Sequence, residues 1–539
     1  MMLLLLAIFA LSARQPPPPT IAEFAPQAVE QITDAPSEQS SQFGSGAGEG
    51  ECLPGAECGP GEGGGGGGGQ APSIKVPRVR KCVGDPPRQI EDPQSPPCVP
   101  YWEGDNGGAT SKGVTRDTIR IAAPWIETGP DQGAPGMTQG MNNLVNFFNK
   151  RFEFYGRKIH VEPYPGPGPD DYVVNQAQME ADAAGVDAMN VFASTPYADH
   201  GGAEYHYMDA LARLGVISTS NARGLLVDED HYSEFQPYQW NTHPGVAAIA
   251  RNLGEFVCKQ LAGGNAVYAE GREANKPRVF GMIKVRSNDG STPDTAPLVA
   301  ELSRCGVRIK ETVEVSGDLA DQAGKQNAMI QFQNAEVTSI ISWAFAATMA
   351  FQIYPAAEQQ GYLPEWIVSS YGGQLEEGAC IISPAKRQCD NAFGIDFRNK
   401  ENAQEDLPIH WAMTEMDPGY NDEQGEAQER YMYWPLLMIA SGIQMAGPNL
   451  TPETFQQGLM KARFPNPACG DAPYYQACVG FGSTDHTFFN DATMKWWSNT
   501  QQSRRSDIEG AYCYIDHGKR YGFGEWPTEK KAFFEGDCY

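Results

Sequence analysis

From Gly113 onward the apolar positions switch repeatedly between two periods. Thr118 to Ala123 (TIRIAA) is a short β-branched run of strand character. Met137, Met141, Leu144, Val145 and Phe148 then recur at helical spacing. The exchange continues. Lys158 to Val161 predicts a strand, Tyr172 to Ala184 a helix, Val186 to Phe192 a strand, Ala203 to Leu214 a helix and Val216 to Thr219 a strand. A second set follows: helix Val246 to Leu261, strand Arg278 to Val285, helix Thr295 to Arg304 and strand Val307 to Val315. It ends with helix Asp321 to Asn334, strand Thr338 to Trp343, helix Met349 to Gln360 and strand Trp366 to Ser369. Strands alternating with full-length helices predict βαβ units and a parallel sheet covered on both faces. Two such sets hold too many strands for one sheet, so the predicted fold class is α/β with two lobes. Tyr431 to Ala446 and Pro452 to Ala462 predict two further helices, and the turn-rich end from about Phe481 predicts short strands.

The N-terminal portion has a different texture. Leu3 to Leu11 is an apolar run followed by Ser12 and Ala13. Its length is that of a signal-peptide core and is too short to span a bilayer. Residues 1–13 are therefore expected to be an export signal, although no basic residue precedes the run. Residues 14–112 carry Pro16 to Pro19, the glycine run Gly63 to Gly69 and repeated Pro-Pro steps. Such a stretch buries too little apolar area to offset chain entropy and is expected to be a mostly disordered tether. Within it, Cys82 to Cys98 is expected to form a small stapled knot.

The formal net charge is -27 at pH 7. That charge repels phosphate, which argues against nucleic acid and against docking on anionic lipid. The 12 cysteines fall in neighbouring pairs: Cys52/Cys58, Cys82/Cys98, Cys258/Cys305, Cys380/Cys389, Cys469/Cys478 and Cys513/Cys538. An even count beside an export signal points to disulfides formed outside the cytoplasm. Neighbour pairing is one of roughly ten thousand connectivities. No CxxC spacing of the zinc-site kind occurs.

Motif chemistry is sparse. There is no GxxxxGK[ST], no HExxH and no GxSxG. His200 and His206 beside Asp199 lie six apart, which does not share one helical face. No metal, no cofactor and no enzymatic activity are expected.

Four stretches then carry a resemblance. They are GVTRDTIRIAAPW (Gly113 to Trp125), YQWNTHPGVAAIARNLGEFV (Tyr238 to Val257), RVFGMIKVRSNDGSTPDTAPLVAELSRCGVRI (Arg278 to Ile309) and YMYWPLLMIASGIQMAGPNLTPETFQQGL (Tyr431 to Leu459). In order and texture they resemble the type 1 periplasmic binding proteins of the leucine/isoleucine/valine-binding kind, over about Gly113 to Pro527. The resemblance implies two Rossmann-like lobes joined by a three-segment hinge. Lobe one would be 113–242 plus 396–482, and lobe two 243–395 plus 483–539. It also implies a monomer that delivers a small molecule to an ABC-type membrane permease.

Open α/β sheets bind ligands at the carboxyl ends of their strands. That rule selects Trp125, Ser194, Thr195, Tyr197, Ser220 and Asn221 in lobe one. In lobe two it selects Arg286, Asn288, Trp343 and Tyr371. By the resemblance, Ser194 and Thr195 would receive a ligand carboxylate; the competing reading is that they cap the next helix. The aromatics would form flat walls for a ring-bearing or amphipathic ligand, and Arg286 would pair with an anion. Core packing competes for each aromatic. The chain departs from the family at VRSNDGS, which lacks the family's Tyr, and at SWAFAATM, which lacks its carboxylate. An amino acid's ammonium would have no partner there, which speaks against a branched-chain amino acid. The leading expectation is an exported solute-binding protein. A sensing ectodomain of the same fold and a cell-wall hydrolase or adhesin are the alternatives.

Overall fold

The computed structural model describes residues 82–538 apart from 85–86, 90, 125–134, 166–175, 198–203, 222–226, 288–289, 319, 402, 404–407, 420–431, 465–475, 505–507 and 536–537. The export-signal segment, the tether up to residue 81, and Trp125, Asn288, Cys52, Cys58 and Cys469 lie outside the described residues.

The first sheet holds strands β3 (Thr118–Ala123), β4 (Lys158–Pro163), β5 (Ala193–Ser194), β6 (Ile217–Ser220) and β7 (Gln239–Asn241), all parallel, in the order β4-β3-β5-β6-β7. Helices α1 (Pro135–Arg151), α2 (Gln176–Ala188), α3 (Tyr205–Arg213) and α4 (Glu229–Glu234) connect them. After α5 (Val246–Phe256) the second sheet begins with β8 (Phe280–Arg286). Next come α6 (Ala296–Arg304), β9 (Ile309–Ser316), α7 (Gln322–Asn334) and β10 (Ser339–Trp343). Then follow α8 (Ala346–Thr348), α9 (Tyr354–Gln359), β11 (Glu365–Ser369), α10 (Glu377–Ile381), α11 (Lys386–Cys389) and β12 (Ala392–Asp396). The chain returns through α12 (Pro408–Met416), α13 (Trp434–Ala446) and α14 (Pro452–Lys461). It ends in β13 (Ala492–Gln502), β14 (Glu509–Tyr514) and β15 (Arg520–Tyr521). The second sheet runs β14-β13-β12-β11-β10-β8-β9, with β15 beside β13. Its β8 to β12 are parallel, while β13 to β15 are antiparallel.

Three of the buried apolar clusters among the described residues mark the two lobes. One is built from Ile119, Phe148, Trp240, Leu437 and Phe488. The others surround the second sheet, with Phe280, Trp343 and Trp496 on one face and Ile340, Trp366 and Tyr512 on the other. The chain leaves the first core after Trp240 and joins the second at Val246. It returns between Phe397 and Ile409, and leaves again between Phe489 and Ala492. The last crossing therefore falls later than the expected 482/483 boundary, because Phe488 and Phe489 are buried with the first lobe.

Three differences from the sequence reading have physical causes. The strand expected at Val186 to Phe192 is instead the end of α2, where Val186 is buried, and a turn through Asn190 at φ 55. The short β5 follows it. The last run, expected to form short strands, yields the 11-residue β13. The tether does not extend to residue 112. From Cys82 the chain packs on the first lobe, with β1 (Cys82–Val83) paired to β2 (Arg88–Gln89). Gln89, Asp92, Gln94 and Ser95 are buried. Amide, hydroxyl and guanidinium groups hold much of this segment, and Trp102 adds an edge contact to Tyr155 at 5.8 Å. Gln444 donates to the Gln89 Oε1 at 2.8 Å, and Arg157 donates to the Asn106 carbonyl at 2.6 Å.

Disulfides join Cys82–Cys98, Cys258–Cys305, Cys380–Cys389 and Cys513–Cys538. Cys478 is also disulfide-bonded. No described helix is long and apolar enough to cross a membrane.

Candidate functional site

In a doubly wound sheet the site lies where the strand order reverses. In the first sheet that point is between β3 and β5; in the second it is between β8 and β10. Both sheets end at the junction between the lobes. The chain passes to lobe two just after the carboxyl end of β7, and back to lobe one just after that of β12.

On the lobe-one side, Ser194 is buried and its Oγ donates to the Thr195 carbonyl at 2.9 Å and meets the Tyr207 hydroxyl at 2.9 Å. Thr195 is buried, with its Oγ1 on the Ala122 carbonyl at 3.3 Å. Neither caps α3, whose N-cap is Glu204. Asn221 accepts a 2.7 Å bond from the Thr242 hydroxyl, which ties the end of β6 to the first crossing. Tyr197 is placed differently from the other candidates. Its ring stacks on Tyr207 with centroids 4.5 Å apart, and its hydroxyl donates to Asp182. Burial and the Asp182 carboxylate both push that phenol's pKa up, so it stays protonated.

Sequence reasoning missed Glu204. Its carboxylate accepts the Tyr197 backbone N–H at 3.0 Å and the Ser220 hydroxyl at 2.9 Å. The residue is 1% exposed. A lone acid at a helix start carries no sequence signal of such a role, because the loops it joins are brought together only by the sheet.

On the lobe-two side, Trp343 is fully buried, and its indole N–H has no partner among the described residues. Tyr371 packs edge-on against it at 5.3 Å and lies 5.8 Å from the half-buried Phe345. Gly372 lets this turn close on β10. It sits at φ 59, and a Cβ there would lie 2.5 Å from the Ala344 carbonyl. Gln374 donates to the carbonyls of Ser342 and Ala344 at 3.2 and 2.7 Å, fixing the same wall. Phe345 starts the helical run that opens with α8 and makes no side-chain cap bond, so an aromatic edge and a helix start share one strand end. Arg286 is half exposed, with its Nε on Glu314 at 2.8 Å.

No protein-family model matches the sequence, and no curated protein matches it. Solved structures do. A solute-binding protein of an ABC transporter from R. palustris, in complex with 4-hydroxybenzoate, is 11% identical with a TM-score of 0.52; the match covers 76% of this chain and 98% of that one. An ABC transporter substrate-binding protein from Sphaerobacter thermophilus is 13% identical with a TM-score of 0.51, over 77% of this chain and 100% of that one. A leucine-, isoleucine-, valine-, threonine- and alanine-binding protein from Brucella ovis, in a closed conformation, is 11% identical with a TM-score of 0.51, over 76% and 96%. The chain has the type 1 periplasmic binding fold.

A periplasmic binding fold joins its lobes through three crossings, and here they are fastened to one another. The run into the third lies beside the start of the first: Asn241 donates to the His486 carbonyl at 3.1 Å, and Phe488 and Phe489 donate to the carbonyls of Asn241 and Thr242 at 2.9 and 3.0 Å. The third is held to the second by Arg520. Its guanidinium reaches the Asp491 carboxylate and carbonyl at 2.7 and 2.6 Å and the carbonyls of Arg398 and Phe397 at 2.7 and 2.8 Å. Beside it, buried Asp396 takes ion pairs from Lys495 at 2.9 Å and Arg398 at 2.8 Å. Burial alone would raise the Asp396 pKa, but the two cations override it and hold the carboxyl well below its usual range.

Proposed function

We propose that the chain is an exported, non-enzymatic solute-binding protein that closes around a small molecule and presents it to an ABC-type membrane permease. The observation that carries this reading is the pairing of two sheets, each with its own switch point, whose carboxyl ends both adjoin the crossings between the lobes. A ligand touching both strand-end sets is bound more tightly by the closed form, and closure follows from that difference. The ligand set we assign comprises Thr195, Ser194 and Asn221 on lobe one. On lobe two it comprises Trp343, Phe345, Tyr371 and Arg286; Trp125 and Asn288, outside the described residues, belong to the set on the sequence alone. Tyr197 supports the lobe-one loop from behind through its bond to Asp182. The aromatic wall suits a ring-bearing or amphipathic molecule. A monomer suffices for this action. Export agrees with the apolar run Leu3 to Leu11 and with the disulfides.

A thermal-shift panel of amino acids, amides, short peptides, aromatic acids and sugars tests the reading. A cognate ligand at a hundred times its Kd stabilises the native state by about 2.7 kcal/mol. Absence of any shift across the panel, with Phe345→Ala behaving as wild type towards every compound, would count against it.

A further inference from the structure

We propose that Glu204 fills the anion cradle of lobe one with the protein's own carboxylate, so that the ligand turns a neutral or cationic group, not an acid, towards that lobe. The inference rests on the solute-binding reading and specifies which end of the solute lobe one accepts.

The hydrogen-bond pattern carries it. A carboxylate held at the ends of parallel strands is met by donors from their loops, backbone N–H groups and hydroxyls among them. Both donors are present, as the Tyr197 N–H after β5 and the Ser220 hydroxyl at the end of β6. Both are directed to Glu204, at 3.0 and 2.9 Å. The remaining hydroxyls at these strand ends are also engaged within the protein. Ser194 bonds the Thr195 carbonyl and Thr195 bonds the Ala122 carbonyl. A ligand acid would have to displace a buried carboxylate or lie against it, and like charges at that range repel strongly in a site closed to water. A donor group meets the opposite situation, since each carboxylate oxygen accepts more than one bond. The acidic end of an amphipathic solute is left to lobe two, where Arg286 and the start of the α8 run stand.

The test needs no knowledge of the solute. The full chain carrying Glu204→Ala has an emptied cradle that formate or acetate fits. Thermal unfolding is followed with sodium formate or sodium acetate against sodium chloride at equal ionic strength. The expected result is a saturable upward Tm shift in Glu204→Ala and no specific shift in the wild type. Glu204→Gln still occupies the cradle: its amide oxygen accepts one of the two bonds, its NH2 can donate to the Ser220 hydroxyl oxygen, and it should fold and gain nothing from formate. If Glu204→Ala folds only poorly, its refolding yield should be restored by formate and not by chloride. No formate effect on either the Tm or the yield of Glu204→Ala overturns the proposal. So does a formate shift of equal size in the wild type. A second arm compares benzoate, benzamide and benzylamine on the wild type. Benzoate binding best of the three, and losing affinity on Ser220→Ala, also overturns it. Failure of the formate arm leaves the solute-binding reading intact, because that reading is tested by the ligand panel.

Discussion

Gln94 and Asn399 hold each other through both ends of their amides: Gln94 Nε2 donates to Asn399 Oδ1 at 3.0 Å, and Asn399 Nδ2 returns a bond to Gln94 Oε1 at 3.1 Å. The first belongs to the disulfide-stapled N-terminal segment, the second to the crossing that returns from lobe two. Gln94 also reaches the Ala477 carbonyl at 2.8 Å. The N-terminal segment thus lies directly on the connection between the lobes. A double-mutant cycle of Gln94→Ala and Asn399→Ala, read by urea unfolding, should give a coupling of about 1 kcal/mol. Strict additivity of the two single variants would show that the pair contributes nothing.

Asp92 of the same segment is buried, with Tyr433 donating to its carboxylate at 2.5 Å. Burial raises its pKa to about 6, against the lowering effect of the Tyr433 bond. The folded protein therefore holds this proton more tightly than the unfolded chain. The contribution is fully present below the unfolded value near 3.8 and is lost as the pH rises through about 6. Relative to Asp92→Asn, the wild type should lose on the order of 2 kcal/mol of stability between pH 4 and pH 7. Parallel stability profiles of the two proteins would refute the assignment.

Asp396 behaves in the opposite sense. Its pKa is held down by Arg398 and Lys495, so its contribution is present above the unfolded carboxylate value and is lost as the pH falls below it. Lys495→Ala leaves the Asp396 charge buried beside one cation instead of two and should cost about 3–5 kcal/mol. Pairing it with Asp396→Asn should recover part of that loss in chemical denaturation. A double variant as unstable as the sum of the singles would contradict the pairing.

Phe345 is half-buried at a strand end, so its truncation removes contact area without opening a core cavity. Phe345→Ala should weaken ligand binding by tenfold or more while changing stability by less than about 1 kcal/mol. Trp343→Ala, by contrast, empties a fully buried site and should cost about 3–5 kcal/mol in addition to any effect on binding. Isothermal titration beside thermal unfolding separates the two.

Denatured, unreduced protein should show almost no free thiol, although the chain carries 12 cysteines. A thiol titration approaching that total would remove the disulfides at Cys82–Cys98, Cys258–Cys305, Cys380–Cys389 and Cys513–Cys538, and with them the case for export.

The order of elements was legible because it rests on periodicity, as the match of Thr118–Ala123 to β3 shows. The position of β5 was not, because Val186 is apolar and β-branched yet serves the buried face of α2. The docking of residues 82–112 escaped notice for a different reason. Gln89, Gln94, Asn106 and Arg157 hold it through polar bonds, and such groups leave no apolar period to read. At the strand ends, the rule for doubly wound sheets selects loops but carries no information on the directions of their side chains. Tyr197 turned towards Asp182, and Glu204 entered from a neighbouring helix.

The guanidinium of Arg520 has a mechanical corollary. It pins Phe397, Arg398 and Asp491 into one knot, and backbone bonds lash the strand beyond it to Asn241 and Thr242. The knot braces the lobe-two ends of the second and third crossings, and the backbone bonds brace the lobe-one ends of the first and third. Removing the Arg520 side chain would therefore unfasten two of the three connections at once.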